Sequence, residues 1–358
     1  MIAQQAAPAG YPKAQERFLS CAFDTNNVVE LKPGFNAATY GQCPWHSIGH
    51  PCPNNPVPNP NPTLPAGRLA SIRGTIAAAF NNAPQHLKDE LCTVQNIFID
   101  ADSHTKNSPA WGMLDRSRTN DQGQPVKYIG ISADLFPDVI LAKPYGNLET
   151  MITKGLLAPP RPPLSNPSRT WLAGISHIAD PDDTVVKTMA ILAHEMAHII
   201  WWNENIPAIK CPAITGNKFQ EITWQTPIIN PHGFHGFGRG QANHSITDGF
   251  TEADMVMDLR NEDLDNLVLE MKQVYTFSNW VDLFSFVAPD KDFIESYKFW
   301  VLTNATSPLK SLSVYFNEAD NSSQVVVPIV TNSSFGAPSS NLEKKRVWIG
   351  QWVSGNCA

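Results

Sequence analysis

His194, Glu195 and His198 stand in one short run, His194-Glu195-Met196-Ala197-His198. Histidines four residues apart on a helix lie on one face, one turn from each other, so both imidazoles can bind a single metal ion. Two neutral ring nitrogens suit zinc at ~2.0–2.1 Å. Glu195 follows the first histidine. A carboxylate there can take a proton from a water activated by the ion and later deliver it to a leaving amine. A zinc ion brings the pKa of its water from about 15.7 to about 7, so a nucleophile is available at neutral pH. The surrounding segment, VVKTMAILAHEMAHIIWW (185–202), is apolar on nearly every face. Polar groups in such a helix are costly unless paired or metal-bound, which weighs against two ordinary core histidines and a salt-bridged glutamate.

The elements that must position this run can be read on either side of it. Asp182 and Asp183 suit the start of a helix running to about Trp202, and a helix this apolar is normally central and buried. Leu69, Ile72, Ile76, Ala79 and Phe80 recur at helical spacing within 67–91. VQNIFI (94–99) and KYIGI (127–131) read as strands, joined by a polar connection. Residues 230–245 are Gly- and His-rich and read as a loop. Helical spacing returns at about 247–274 and 291–302. The tail, 311–357, holds three strand-like pieces: SLSVYF, SQVVVPIV and KRVWIGQWV. This order reads as α+β. The expected organisation is a Pro/Cys-rich arm at 1–66 and a catalytic domain at 67–358. Within that domain a sheet subdomain spans about 67–204, and a helical subdomain with a tail spans about 205–358.

Lys and Arg total 26 against 33 Asp and Glu, a net charge of −7. This argues against a nucleic-acid partner. No run of ~18 apolar residues is present, so no membrane span is expected. Six cysteines, none in a C-x-x-C pair, suit up to three disulfides in a secreted chain. Four N-x-[ST] sequons, at Asn243, Asn304, Asn321 and Asn332, agree with a glycosylated extracellular protein. Met1 to Gly10 lacks the pattern of a signal peptide, so a leader removed before residue 1 is expected.

HEMAH resembles the zincin metallopeptidases. The stretch 283–298, LFSFVAPDKDFIESYK, resembles a helix of secreted microbial zincins of the gluzincin type, roughly E-D-F-x-E-[ST]-[FY], which supplies the acidic zinc ligand. The resemblance covers these two motifs and the general element order. It implies a zincin-like metallopeptidase domain: a buried HExxH helix, a mixed sheet before it and a helical C-terminal subdomain. It also implies Zn²⁺ on His194, His198 and Glu295, Glu195 as the catalytic base, and an endopeptidase acting on peptide or protein substrates. In many zincins an edge strand before the metal helix holds the peptide in extended form, and Lys127 to Asp134 is in the right order for it.

The metzincin form of the motif would need Gly at 201 and His at 204, and Trp201 and Glu204 stand there instead. A carboxylate from a later helix is therefore expected as third ligand. One form of the gluzincin helix places it four residues before the second Glu, where this chain has Lys291, and an ammonium cannot bind zinc. Glu295 or Asp292 must then serve, or the site is altered. Asp248 and Glu252, four apart at a helix start, compete for the role, with the spacing of a ligand and its supporter. His232, His235, His244, Arg239 and Tyr297 are candidate donors to a developing oxyanion. Two other functions fit the same residues: zinc-assisted hydrolysis of another amide, and a non-catalytic secreted binding or effector protein that retains a zinc site. Lys291 favours the second.

Overall fold

The computed structural model describes residues 24–30, 63–101, 110–120, 123–136, 171–179, 183–212, 218–229, 235–239, 280–282, 285, 289–318, 324–331, 334–335 and 340–357. The architecture is α+β, with five helices and two four-stranded sheets among these residues.

The first sheet is mixed and has the order β1 (Val28–Glu30), β2 (Val94–Asp100), β4 (Pro125–Ser132), β3 (Ala110–Thr119). β1, β2 and β4 run parallel, and β3 runs antiparallel to β4. β1 comes from the stretch expected to form the N-terminal arm. It is held by Arg73 Nε, which donates to the Val28 carbonyl at 2.9 Å. KYIGI lies in the interior strand β4, so Lys127 to Asp134 is not the edge expected. Among the described residues β1 and β3 are the outer strands, and β3 lies within the segment the sequence suggested was a polar connection. Gly130 of β4 faces Trp111 of β3, and a Cβ there would overlap the indole. Trp111, Met113, Phe98, Val126 and Tyr128 form a small cluster of their own. The main core draws on residues from Val28 to Trp352 and spans both expected subdomains.

The helical stretch 67–91 divides into α1 (Arg68–Asn82) and α2 (Gln85–Leu91). Ala83 is extended because it precedes Pro84, whose ring disfavours helical backbone in the residue before it. α3 (Asp183–Asn203) carries HEMAH and begins at the expected acidic residue. Its apolar faces are covered by α1, β3 and α4 (Pro289–Thr303). The turn beyond its end uses Asn205 in the left-handed region at φ 51°, which Asn tolerates.

The C-terminal part is not wholly helical. β8 (Leu309–Glu318) pairs with both β5 (Trp171–Ala179) and β9 (Gln324–Thr331), giving a second, antiparallel sheet ordered β10 (Ser334–Phe335), β9, β8, β5. SLSVYF and SQVVVPIV are strands as expected. KRVWIGQWV instead lies in α5 (Asn341–Val353), where Ser340 Oγ accepts the Glu343 N–H and caps the helix. Leu342, Lys345, Trp348, Ile349 and Trp352 form its buried face. Part of the expected 230–245 loop forms a hairpin, with β7 (His235–Arg239) paired to β6 (Trp224–Ile229). Cys211 and Cys357 form a disulfide across 146 residues of chain, and Cys92 is disulfide-bonded too. Among the described residues no helix is long and apolar enough to cross a membrane.

Candidate metal centre

α3 brings His194 and His198 together because its other faces are committed to the core. Val186, Met189, Ala190, Leu192, Ala193, Met196, Ala197, Ile199 and Ile200 are all buried. The two histidines are half-buried, and 22% of the His194 side chain is exposed, so solvent reaches the pair. Their ring centres lie 5.0 Å apart at an interplanar angle of 72°. Two imidazoles on one tetrahedral zinc ion, bound at ~2.0–2.1 Å, would place their ring centres about 5 Å apart. The observed spacing fits that requirement.

Burial keeps both rings neutral, with lone pairs available to a metal. It lowers the His194 pKa to about 4, helped by the Lys298 and Lys291 ammonium groups and opposed by Glu195 and Asp282. His198 is pushed well below its usual range by burial first, then by Lys291 and His194. Burial raises the Glu195 carboxyl above its ordinary value, against the pull of His194 and Lys291.

Glu195 is fixed from the sheet side. The edge strand β3 crosses α3 at Gly112, and the Gly112 N–H donates a hydrogen bond to the Glu195 carboxylate. A Cβ at Gly112 would overlap the Glu195 carbonyl oxygen, so the approach requires glycine. The edge strand and the candidate base are thereby built into one contact.

α4 supplies the carboxylate. Glu295, 2% exposed, places Oε1 2.5 Å from His194 Nδ1. Its Oε2 accepts from Lys298 Nζ, and Lys298 also pairs with Asp282 at 3.4 Å. Among the described residues no three His, Cys, Asp or Glu side chains converge as a metal-binding group.

The alternatives fall elsewhere. Asp292 is fully buried in α4, where Lys345 Nζ (2.7 Å) and Trp224 Nε1 (3.0 Å) donate to it. Burial raises its pKa to about 6 even so. It cannot turn toward the histidines without stranding both partners. Tyr297 is also removed from the centre: its hydroxyl lies 2.9 Å from Nδ1 of His86, and its ring packs on Phe293 and Trp352. His235 and Arg239 belong to β7. Asp248, Glu252, His232 and His244 lie outside the described residues.

Two residues were missed by sequence reasoning. Gly112 sat in a stretch with no clear strand pattern. Lys298 follows Glu295 by three residues, the spacing of a helical ion pair, and that spacing could have drawn attention to it. Lys291, flagged as a departure, bears on the centre: its ammonium lowers His194, His198 and Glu195 alike.

Compared with protein-family models, curated proteins and solved structures, the chain matches none.

Proposed function

We propose that the chain is a secreted zinc-dependent metallopeptidase of zincin type, hydrolysing peptide bonds in peptide or protein substrates. The observation that carries this reading is the pairing of His194 and His198 on a core helix, rings 5.0 Å apart, with Glu195 beside them under the edge strand. His194 and His198 would hold the ion, with Glu295 the carboxylate behind them. Bound there, zinc would supply Lewis acidity to a carbonyl and lower the pKa of water.

The chain's own residues do the rest. The raised pKa of Glu195 suits a group that accepts a proton and then returns it to the departing amine. Gly112 orients that carboxylate through its backbone N–H. β3 pairs with β4 on one side, and its position beside Glu195 suits a substrate laid alongside it in extended form. The Cys211–Cys357 disulfide supports an oxidising, extracellular setting.

Lys291 favours a second reading, a binding or effector protein that keeps the zinc site without using it. A positive charge acting on both imidazoles and on Glu195 opposes a second cation at the same place. The two readings separate in one experiment. Zinc-reconstituted wild type and Glu195→Gln are incubated with a random peptide library, and cleavage is read by mass spectrometry. Cleavage by wild type, reduced at least ~100-fold in the variant, supports the peptidase. Bound zinc with no cleavage by either protein supports the binding module.

A further inference from the structure

Three buried side chains, Asp282, Lys298 and Glu295, form a continuous series from the turn at 280–282 to the half-buried His194 of the candidate metal centre. Asp282 is anchored first: its Oδ1 accepts the Ser285 N–H at 2.8 Å, and its carbonyl accepts the Ser285 hydroxyl at 2.6 Å. Lys298 Nζ reaches Asp282 at 3.4 Å and also donates to Glu295 Oε2. Glu295 Oε1 then meets His194 Nδ1 at 2.5 Å. The side chains of Asp282, Lys298 and Glu295 are between 2% and 4% exposed, so water does not compete for these contacts.

Two features distinguish Glu295 from a direct ligand. Ligand atoms on one tetrahedral zinc ion, each at ~2.0–2.1 Å, stand ~3.3 Å apart. The 2.5 Å contact is a hydrogen bond through the ring nitrogen. The second oxygen is held by Lys298, and Lys298 is in turn held by Asp282. A carboxylate gripped this way cannot swing toward an ion without breaking a buried ion pair.

We propose that Lys298 is a positioning residue: anchored on Asp282, it locks Glu295 against Nδ1 of His194, so that Glu295 serves as an outer carboxylate and His194 presents its other ring nitrogen. This rests on His194 being a metal-holding imidazole, as proposed above. A carboxylate accepting the Nδ1 proton fixes the tautomer and makes the remaining nitrogen a stronger donor. The arrangement deepens the site by one layer, since the lysine sets the ring without touching metal or substrate.

The test uses the full ¹⁵N-labelled chain, stripped of metal, and reads which nitrogen of the His194 ring carries the proton. Zinc affinity is measured by competition with a chromophoric chelator, and stability by denaturant unfolding. The variants are Lys298→Met and Glu295→Gln. Lys345→Met is the control, an equally buried lysine paired with Asp292 and in no ion pair with Glu295. The expected results are an Nδ1–H ring in wild type, and zinc binding weakened ~10–100-fold with mixed tautomers in Lys298→Met. Lys345→Met should lose stability while tautomer and zinc affinity stay unchanged. An Nε2–H ring in wild type would overturn the proposal, even if no variant folds. So would equal effects of Lys298→Met and Lys345→Met, or a loss of zinc affinity in Glu295→Gln beyond the ~100-fold that an outer carboxylate accounts for. Failure of wild type to take up zinc would remove the peptidase reading, and the tautomer would still decide the lock.

Discussion

Gly112 of β3 and Glu195 of α3 meet with no room for a side chain between them. A Cβ at Gly112 would overlap the Glu195 carbonyl oxygen and stand 3.3 Å from Cγ1 of Ile199. The same glycine gives its N–H to the Glu195 carboxylate. Strand and helix are therefore registered at the residue proposed to move the proton.

Gly112→Ala should force β3 away from α3. The obstacle is a helix carbonyl, which cannot move aside as a flexible side chain would. The expected destabilisation is about 1–3 kcal/mol by denaturant unfolding. Any peptidase activity should fall further than this stability loss explains, because the donor to Glu195 moves with the strand. A variant as stable and active as wild type would show that the contact is looser than described.

The Lys345–Asp292 pair, completely buried, joins α5 to α4 at 2.7 Å. Asp292→Ala leaves an ammonium and the Trp224 N–H without their partner. The expected cost is about 3–5 kcal/mol in unfolding free energy. Replacing both members, as in Asp292→Leu with Lys345→Met, should recover most of it. A cost below about 1 kcal/mol for Asp292→Ala would mean that water reaches the pair.

Glu204, just beyond α3, has its pKa raised to about 7 by burial and by the neighbouring Glu90, against Lys127 and a hydrogen bond from Trp352. The folded chain therefore holds this proton after the unfolded chain, with its ordinary value of 4.5, has released it. Between about pH 4.5 and 7 the native state binds more protons, so the Glu204 contribution to stability falls as pH rises. Glu204→Gln should flatten that part of the stability–pH curve. An unchanged slope in the variant would remove Glu204 as its source.

Much of this was legible along the chain. The apolar run with acidic residues at its start gave α3, and the four-residue spacing within it placed His194 and His198 together. VQNIFI, KYIGI, SLSVYF and SQVVVPIV form strands because β-branched and aromatic runs pack well on a pleated surface. β3 was not legible, because AWGMLDRSRT carries Gly112, Asp115, Arg116 and Arg118, and its strand state depends on pairing with β4. KRVWIGQWV read as a strand because its apolar residues cluster locally. Its helical stripe appears only when Leu342 and Lys345 are counted, and a lysine does not read as core. The partners of Asp292 lie 68 residues before it and 53 after it, so only the packed fold joins them. The contact between Glu295 and His194 likewise required α4 to dock on α3.

The measurement that tests the central claim most directly is zinc per chain, by elemental analysis of purified and zinc-reconstituted protein, in wild type, His194→Ala and His198→Ala. The account predicts close to one zinc per wild-type chain and loss of that zinc in both variants while the chain stays folded. Wild type that takes up no zinc, or variants that keep it, would contradict the assignment of His194 and His198 as the metal-holding pair.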